Sequence, residues 1–292
     1  MKKFLLLLCV LLISMGTFGQ VKKKAPGFNN KKLANEKDKF LDKQFWLGFK
    51  AGINLSQADP TKRYSVLSPT NYSATLTDKE YHSYKKVGSQ ASIEVTFYFK
   101  GFSFSIQPTY IHSRFMYSNQ FKWDNPENAA EQLILSYDQE QKIDYADFPL
   151  LVKYDITHTR LRPYVQVGAF YSILINANKS VAVSGIDYAS GGKNEFKNEP
   201  VIVGAKDLFA NYWGIVGGAG VNYNLGNVRL VLDITYRKGM SNIANTANRY
   251  SNDRLSGIGD VQDDNKLNNI VFSAGCLFPM RYLSNSFKAL DK

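Results

Sequence analysis

The ten residues VRLVLDITYR, at positions 228–237, alternate between two kinds of side chain. Such alternation is typical of a β-strand, in which successive side chains point to opposite faces of the sheet. One face is apolar and aromatic, and the other carries Arg229, Asp233 and Arg237. A soluble sandwich would bury the first face. A transmembrane β-barrel would turn that face toward lipid and keep the charges in its lumen.

The N-terminus predicts export from the cytoplasm. A basic start at residues 1–3 precedes an apolar run at 4–13, and the small residues Thr17 and Gly19 follow. This order is typical of a secretory signal peptide, cleaved before Gln20. The apolar run is too short to cross a membrane as a helix. Without the signal peptide Cys276 is the only cysteine, which excludes an intramolecular disulfide.

Composition favours a barrel over a helical membrane protein. The chain is rich in aromatics, with 18 Tyr and 19 Phe, and its net charge is +11. No later stretch approaches the roughly 20 apolar residues that a spanning helix needs. Because every backbone polar group must be paired within lipid, a closed sheet is then the remaining way to cross. A large soluble β domain would share this composition and stays as the alternative.

Four segments are predicted along the chain. They are a signal peptide at 1–19, a basic periplasmic leader at 20–44, the barrel at 45–278 and a periplasmic tail at 279–292. The leader holds eight lysines against three acidic residues. Such a charge run predicts a flexible, solvated linker, and contact with anionic lipid head groups or an acidic partner is the functional alternative.

Eight segments show strand periodicity, with boundaries near 45–57, 89–100, 102–117, 142–155, 162–176, 209–224, 227–240 and 267–278. A proline cannot donate a ladder hydrogen bond, so Pro149 predicts a bulge or local irregularity. Glycines on the sixth strand, Gly217, Gly218 and Gly220, predict either room for large inward neighbours or a bend in the strand.

The connections alternate in length. Short turns are predicted near 100–101, 157–159 and 225–226, and long polar segments at 58–88, 118–141, 177–208 and 241–266. Outer-membrane barrels have short periplasmic turns and long extracellular loops. The sequence therefore predicts an all-β, eight-stranded antiparallel transmembrane up-and-down barrel in the cell outer membrane, with both termini in the periplasm.

Strand parity predicts a set of charges in the lumen: Lys50, Glu94, Asp147, Lys153, Asp155, Arg229, Asp233 and Arg237. The interior of an eight-stranded barrel is just filled by its side chains, and isolated buried charges are costly. We therefore predict a salt-bridged, closed interior. A narrow ion or proton path is the alternative.

Histidine chemistry has little support in the sequence. His82 falls in the first long loop and His158 in a short turn. Parity places His112 on the lipid-facing side, where the sequence offers no partner for it, so an interfacial polar residue is predicted. No catalytic residue is therefore assigned, and the chain is predicted not to be an enzyme.

The fourth long loop is acidic, with Asp253, Asp260, Asp263, Asp264 and Asn265. These are oxygen ligands of the type that calcium prefers, but their spacing matches no calcium loop. A solvated acidic loop is the favoured interpretation. No zinc spacing, phosphate-binding loop or dinucleotide fingerprint is found, so no metal or cofactor is predicted.

Several stretches resemble one known family. GFKAGINLS at 48–56 resembles the opening strand of the PorT-like outer-membrane barrels of Bacteroidota, and YADFPLLVKY at 145–154 is similar to their middle signature. RPYVQVG at 162–168 and GGAGV at 217–221 fit their later strands, so the resemblance covers about 45–278 in the family's order. It implies a small outer-membrane barrel with a role in type IX secretion. The leader, the long loops and the tail depart from that pattern.

The sequence thus predicts a non-enzymatic scaffold or binding module, an accessory of a type IX secretion or other envelope complex. Its predicted partners are outer-membrane lipid, and envelope or secretion proteins bound through the leader and loops; no nucleic acid is predicted. A narrow channel for small solutes or ions is the first alternative, and a membrane-embedded hydrolase is the second.

Overall fold

A computed structural model describes residues 43–64, 79–128, 130–157, 159–190, 192–225, 228–257 and 260–280. The predicted signal peptide lies outside these residues, as do the leader before Lys43 and the tail after Met280. Within the described ranges, no helix is both long and apolar enough to cross a membrane.

The described chain is almost entirely β-structure. Its strands are β1 (Lys43–Lys62), β2 (Glu80–His82), β3 (Val87–Phe99), β4 (Phe102–Ile106), β5 (Thr109–Asp124), β6 (Gln132–Asp155), β7 (Leu161–Asp187), β8 (Asn194–Lys197), β9 (Val201–Gly204), β10 (Tyr212–Asn224), β11 (Arg229–Gly239) and β12 (Asp264–Pro279). A 3-10 helix, Lys206–Leu208, follows β9, and a short helix α1, Asp253–Gly257, precedes β12.

Eight antiparallel walls close into a ring. β1 pairs with β3, β3 with β4 and β5, both of these with β6, and the order continues through β7, β10, β11 and β12. The ring closes where β12 pairs with β1, for example Ala51 opposite Ala274. β4 and β5 form one wall, interrupted at 107–108. The predicted eight-stranded up-and-down barrel is confirmed.

The alternation seen in the sequence sorts side chains between two environments. On β11, Leu232 is 63% exposed while its neighbour Asp233 is 5% exposed. The same holds around the ring, because large apolar side chains on the outer faces are exposed and charged ones on the inner faces are buried. An apolar exterior around a charged interior is the pattern of a barrel in lipid, and it excludes the soluble alternative.

The two ends of the barrel differ. At the short-turn end, Lys100 and Gly101 have φ values of 46° and 90°. Positive φ at both central residues is the type I′ geometry that joins two strands with two residues. At the opposite, long-connection end the strands extend far beyond the predicted boundaries.

Two predicted long loops are largely strand, and this part of the prediction was wrong. The β5–β6 ladder continues to Asp124 opposite Gln132, and the β6–β7 ladder to Leu133 opposite Asp187. These extensions bury Tyr137 and Val181 on their inner side. Polar residues alternate with these apolar ones, and such a polar composition is typical of a loop, although each segment supplies a buried face.

Pro149 lies in an unbroken part of the β6–β7 ladder, opposite Phe170. The irregularity predicted there falls on the neighbouring wall, at the break between β4 and β5, where the Gln107 backbone N–H donates to the Pro149 carbonyl at 3.2 Å. The register shift within β6 lies at Asp144/Tyr145. The position at which proline has no N–H to donate therefore lies beside the break between β4 and β5.

Candidate functional site

A four-charge cluster fills the middle of the lumen. Lys50 Nζ lies 2.7 Å from Asp233 Oδ2 and 3.2 Å from Glu94 Oε2. Lys153 Nζ lies 2.5 Å from Glu94 Oε1. All four side chains are buried, and two positive charges balance two negative ones. Each charge comes from a different wall of the barrel, so the cluster ties β1, β3, β6 and β11 together.

Neutral donors complete this cluster. The Thr96 hydroxyl donates to Glu94 at 2.7 Å, and the Tyr164 hydroxyl donates to Asp233 at 3.1 Å. The Tyr164 ring occupies the space that a side chain at Gly220 would fill, since an added Cβ there would lie 2.5 Å from the ring. Room for a large inward neighbour was the role predicted for this glycine.

The other four predicted lumen residues lie on either side of the cluster. Arg237 is paired with Asp147, which also accepts from the Ser172 hydroxyl. Asp155 Oδ2 lies 3.7 Å from Arg162, a partner that the sequence prediction did not include. Parity on β7 would have indicated Arg162, since it alternates with exposed apolar residues.

Arg229 has a different kind of environment. Its guanidinium lies 4.1 Å from the centre of the Trp46 ring, and its Nε donates to the Asn224 side chain at 2.8 Å. A buried guanidinium over an aromatic face gains cation–π stabilisation. The structure therefore brings Lys50, Glu94, Lys153 and Asp233 into one cluster, while Arg229 lies outside this cluster, over an aromatic ring.

Little free space remains between these groups. A cavity of about 20 Å³ lies among Lys50, Gln107, Thr109, Asp233 and Arg237. Such a volume holds about one water molecule. Side chains and ion pairs therefore fill the lumen at this level.

The lumen changes character toward the long-connection end. Many of the inward side chains there are apolar or aromatic and fully buried, among them Ile111, Phe115, Tyr117, Ile143, Tyr145, Val181 and Leu267. A segment that we call the plug, residues 241–257 and 260–263, packs Ile243 and Leu255 into this core. The barrel mouth is thus closed by the chain's own fourth connection.

Buried ion pairs hold the plug. Asp260 is paired with Lys179 of β7 and accepts from the Tyr117 hydroxyl at 2.9 Å. Asp263 lies 2.9 Å from Lys79, and the Tyr81 hydroxyl donates to it at 2.8 Å. The preference for a solvated acidic loop was therefore wrong for both aspartates, because lysines and tyrosines neutralise and bury them.

The surroundings of Asp260 favour the charged form of its carboxylate. Burial alone raises the pKa of Asp260, but the charges of Lys179 and Lys79 and the hydrogen bonds from Lys179 and Tyr117 outweigh it, so the pKa lies below its ordinary value. Burial, with the nearby charge of Asp260, raises the pKa of Tyr117 well above its ordinary value. The tyrosine therefore remains a hydrogen-bond donor to the plug.

Histidine positions correct one expectation. His112 lies on the outward face as predicted, but it has a partner there, because its Nδ1 lies 2.6 Å from Asp144 Oδ1 on β6. His82 Nε2 lies 3.0 Å from the Ser118 hydroxyl, and His158 lies outside the described residues. Sequence reasoning missed Asp144 because the contact depends on the β5–β6 register.

Within the described ranges, no group of three His, Cys, Asp or Glu side chains could hold a metal ion.

Comparisons with solved structures find other outer-membrane proteins. The chain is 16% identical to Neisserial surface protein A, covering 80% of this chain and 96% of that one with a TM-score of 0.32. It is 12% identical to OprG from Pseudomonas aeruginosa, covering 81% and 95% with a TM-score of 0.35. It is 10% identical to the outer membrane protease OmpT from Escherichia coli, covering 81% and 95% with a TM-score of 0.26. No curated protein matches the sequence.

A family model decides the assignment. The model described as outer membrane protein beta-barrel domain matches residues 29–245, most of the chain. It agrees with the closed ring, the apolar exterior and the charged lumen, and it places the barrel in the lipid of the outer membrane. The chain belongs to the outer membrane protein beta-barrel domain family.

Proposed function

We propose that this protein is a closed outer-membrane barrel that acts as a scaffold or binding module and not as a pore. The observation that carries the proposal is the network of buried ion pairs across the lumen, beside which a cavity of about 20 Å³ holds about one water molecule. The plug adds a second barrier at the mouth. Within this proposal the lumen performs no chemistry.

The long-connection end supplies the binding surface. We place it outside the cell, because barrels of this class have short turns on the periplasmic side. Above the membrane, β5, β6 and β7 form a continuous raised sheet to which β9 adds, with Trp123 on β5 and Ile202 on β9 exposed. An ordered surface binds with a smaller entropy loss than a flexible loop.

Conductance measurements test the closed lumen. We expect the full chain, refolded into planar bilayers, to give no single-channel currents. A variant lacking residues 245–257 should also be silent, because the cluster below the plug is intact. Currents from the variant alone would make the plug a gate, and currents from the intact chain would make the barrel a channel.

The finer assignments rest on the sequence. We propose that the signal peptide is removed before Gln20, that both termini are periplasmic, and that the basic leader and the loops contact envelope proteins. The PorT-like resemblance at 145–154 favours an accessory role in type IX secretion. A pull-down in mild detergent, with and without residues 21–41, tests this role. Loss of co-purifying secretion components from a folded barrel would support it, and their absence from both samples would contradict it.

A further inference from the structure

A row of three chemically related residues crosses the outer wall. Ser89 on β3 lies directly opposite His112 on β5, and His112 lies directly opposite Asp144 on β6. All three side chains are on the outward face. Directly opposite residues have Cβ atoms roughly 5 Å apart, so the three groups are near neighbours.

The pair at one end of this row is already formed. His112 Nδ1 lies 2.6 Å from Asp144 Oδ1, and the Tyr110 hydroxyl also hydrogen-bonds to this carboxylate. A carboxylate on Nδ1 fixes the ring and its tautomer, which leaves Nε2 to accept a proton. Ser89 carries a hydroxyl on the strand opposite.

The row lies at the boundary between lipid and water. The next outward residues toward the short-turn end are Ala91, Tyr110 and Ala146, and apolar side chains continue below them. In the other direction Arg114 lies directly opposite Lys142. The ester bonds of a membrane lipid lie at this boundary, between acyl chains and charged head groups.

A groove in the outer wall extends to Ala91, Tyr110 and Ala146, the outward residues next to this row. A cavity of about 760 Å³ is lined by small residues, Ala51, Ala91, Ala146 and Ala274, and flanked by larger ones that include Phe49, Ile93, Tyr110 and Phe148. Ala91 and Ala146 are the outward residues next to Ser89 and Asp144 on their strands. Because the outer wall faces lipid, the groove is suited to a lipid acyl chain.

We propose that Ser89, His112 and Asp144 form a catalytic site that hydrolyses acyl esters of membrane lipids. Ser89 Oγ attacks the ester carbonyl while His112 Nε2 takes its proton, and the lipid alcohol leaves with that proton. Water, deprotonated by His112, then releases the fatty acid and restores Ser89. Asp144 holds the imidazole, and Lys142, which lies opposite the Arg114–Glu140 ion pair, attracts the lipid phosphate. This activity is separate from the closed lumen and goes beyond the scaffold role.

A second serine–histidine contact provides a matched control. The Ser118 hydroxyl lies 3.0 Å from His82 Nε2, and Glu80 lies 3.9 Å from His82 Nδ1. This set lies further along β5, beyond the boundary row and above the alanine groove. Ser118→Ala therefore removes a serine–histidine pair without touching the proposed site.

The test uses the full chain in vesicles of phosphatidylethanolamine and phosphatidylglycerol, with released fatty acid measured by mass spectrometry. We expect release by the parent protein and a loss of about 100-fold or more in Ser89→Ala and His112→Asn. Ser118→Ala should keep the parent rate. An alkyl fluorophosphonate should label Ser89 in the parent and in Ser118→Ala. Heat-modifiable migration on gels establishes that each variant is folded.

The groove gives an independent readout. Ala91→Trp should raise the KM for long-chain esters more than the KM for short-chain esters, because the indole fills the acyl groove. Fatty-acid release that is equal in the parent and in folded Ser89→Ala would overturn the proposal, as would no release from the parent. Loss of activity in Ser118→Ala alone would transfer the chemistry to His82 and overturn the assignment as well.

Discussion

The middle of the lumen and the plugged mouth both bury lysine–carboxylate pairs, but they connect different parts of the chain. In the lumen, Lys50, Glu94, Lys153 and Asp233 all lie on walls of the barrel. At the mouth, Asp260 belongs to the plug while Lys179 belongs to a wall. A charge on a wall cannot leave the interior unless the barrel opens, whereas a charge on the plug can reach water by local detachment. The same interaction therefore stabilises the whole fold in one region and a movable segment in the other.

The largest expected effect is at Glu94, which neutralises two lysines. Glu94→Leu leaves Lys50 paired with Asp233 alone and removes the carboxylate that pairs with Lys153. Leaving a buried charge without its partner costs about 3–5 kcal/mol. We expect this loss in the free energy of unfolding, measured by urea titration in lipid vesicles. Adding Lys153→Met to this variant should restore part of the loss, because it removes the stranded charge. Equal stability of the single variant and the parent would contradict the wall-cluster argument.

Lys179→Met should have a smaller global effect. It strands Asp260, but the plug can detach and hydrate the carboxylate, so the cost is limited to that of local opening. We expect faster hydrogen exchange in residues 241–257 with unchanged exchange in β11. Lys193, an exposed lysine paired with Glu195 at 2.6 Å, gives the matched control Lys193→Met, which should leave plug exchange unchanged. Global unfolding of Lys179→Met would place both regions in one cooperative unit.

Acid should open the plug before it opens the barrel. The pKa of Asp260 is depressed in the folded protein, so its stabilising effect is fully present above its unfolded pKa, about 3.9. That effect is lost as pH falls below this value toward the depressed one. Limited pepsin cleavage between pH 4 and pH 2 should therefore begin within the plug. Cleavage that begins in the walls would argue against this order.

The smallest effect is expected outside the barrel. Arg114 Nη2 lies 2.5 Å from Glu140 Oε1, and both side chains are partly exposed. Exposed ion pairs contribute at most about 1 kcal/mol, because water and salt screen them. Glu140→Gln should therefore change the free energy of unfolding by less than about 1 kcal/mol in the same urea titration. A loss as large as that of Glu94→Leu would remove the distinction between inner and outer charges.

Strand parity alone predicts the wall charges. Each inward position, such as Glu94 or Asp233, alternates with exposed apolar residues, so its direction follows from the two-residue period. The pairing of Lys179 with Asp260 depends on the path of the plug, which no local pattern encodes. The contact between His112 and Asp144 depends on the β5–β6 register, and therefore on how far that hairpin extends. Local periodicity reveals to which face of the sheet a side chain points, but the residues that it contacts depend on the register between strands.

The closing ladder between β1 and β12 also limits how the barrel can fold. Trp46 lies opposite Pro279, so the ring joins residues from the two extremes of the folded chain. Pairing at such sequence separation incurs the loop-closure entropy before it gains stabilising contacts, and chains dominated by these contacts fold slowly. Until β12 is in place, β1 presents one row of unpaired N–H and C=O groups, an edge prone to pairing with other chains. Newly made chains should therefore be most prone to aggregate before this last strand docks.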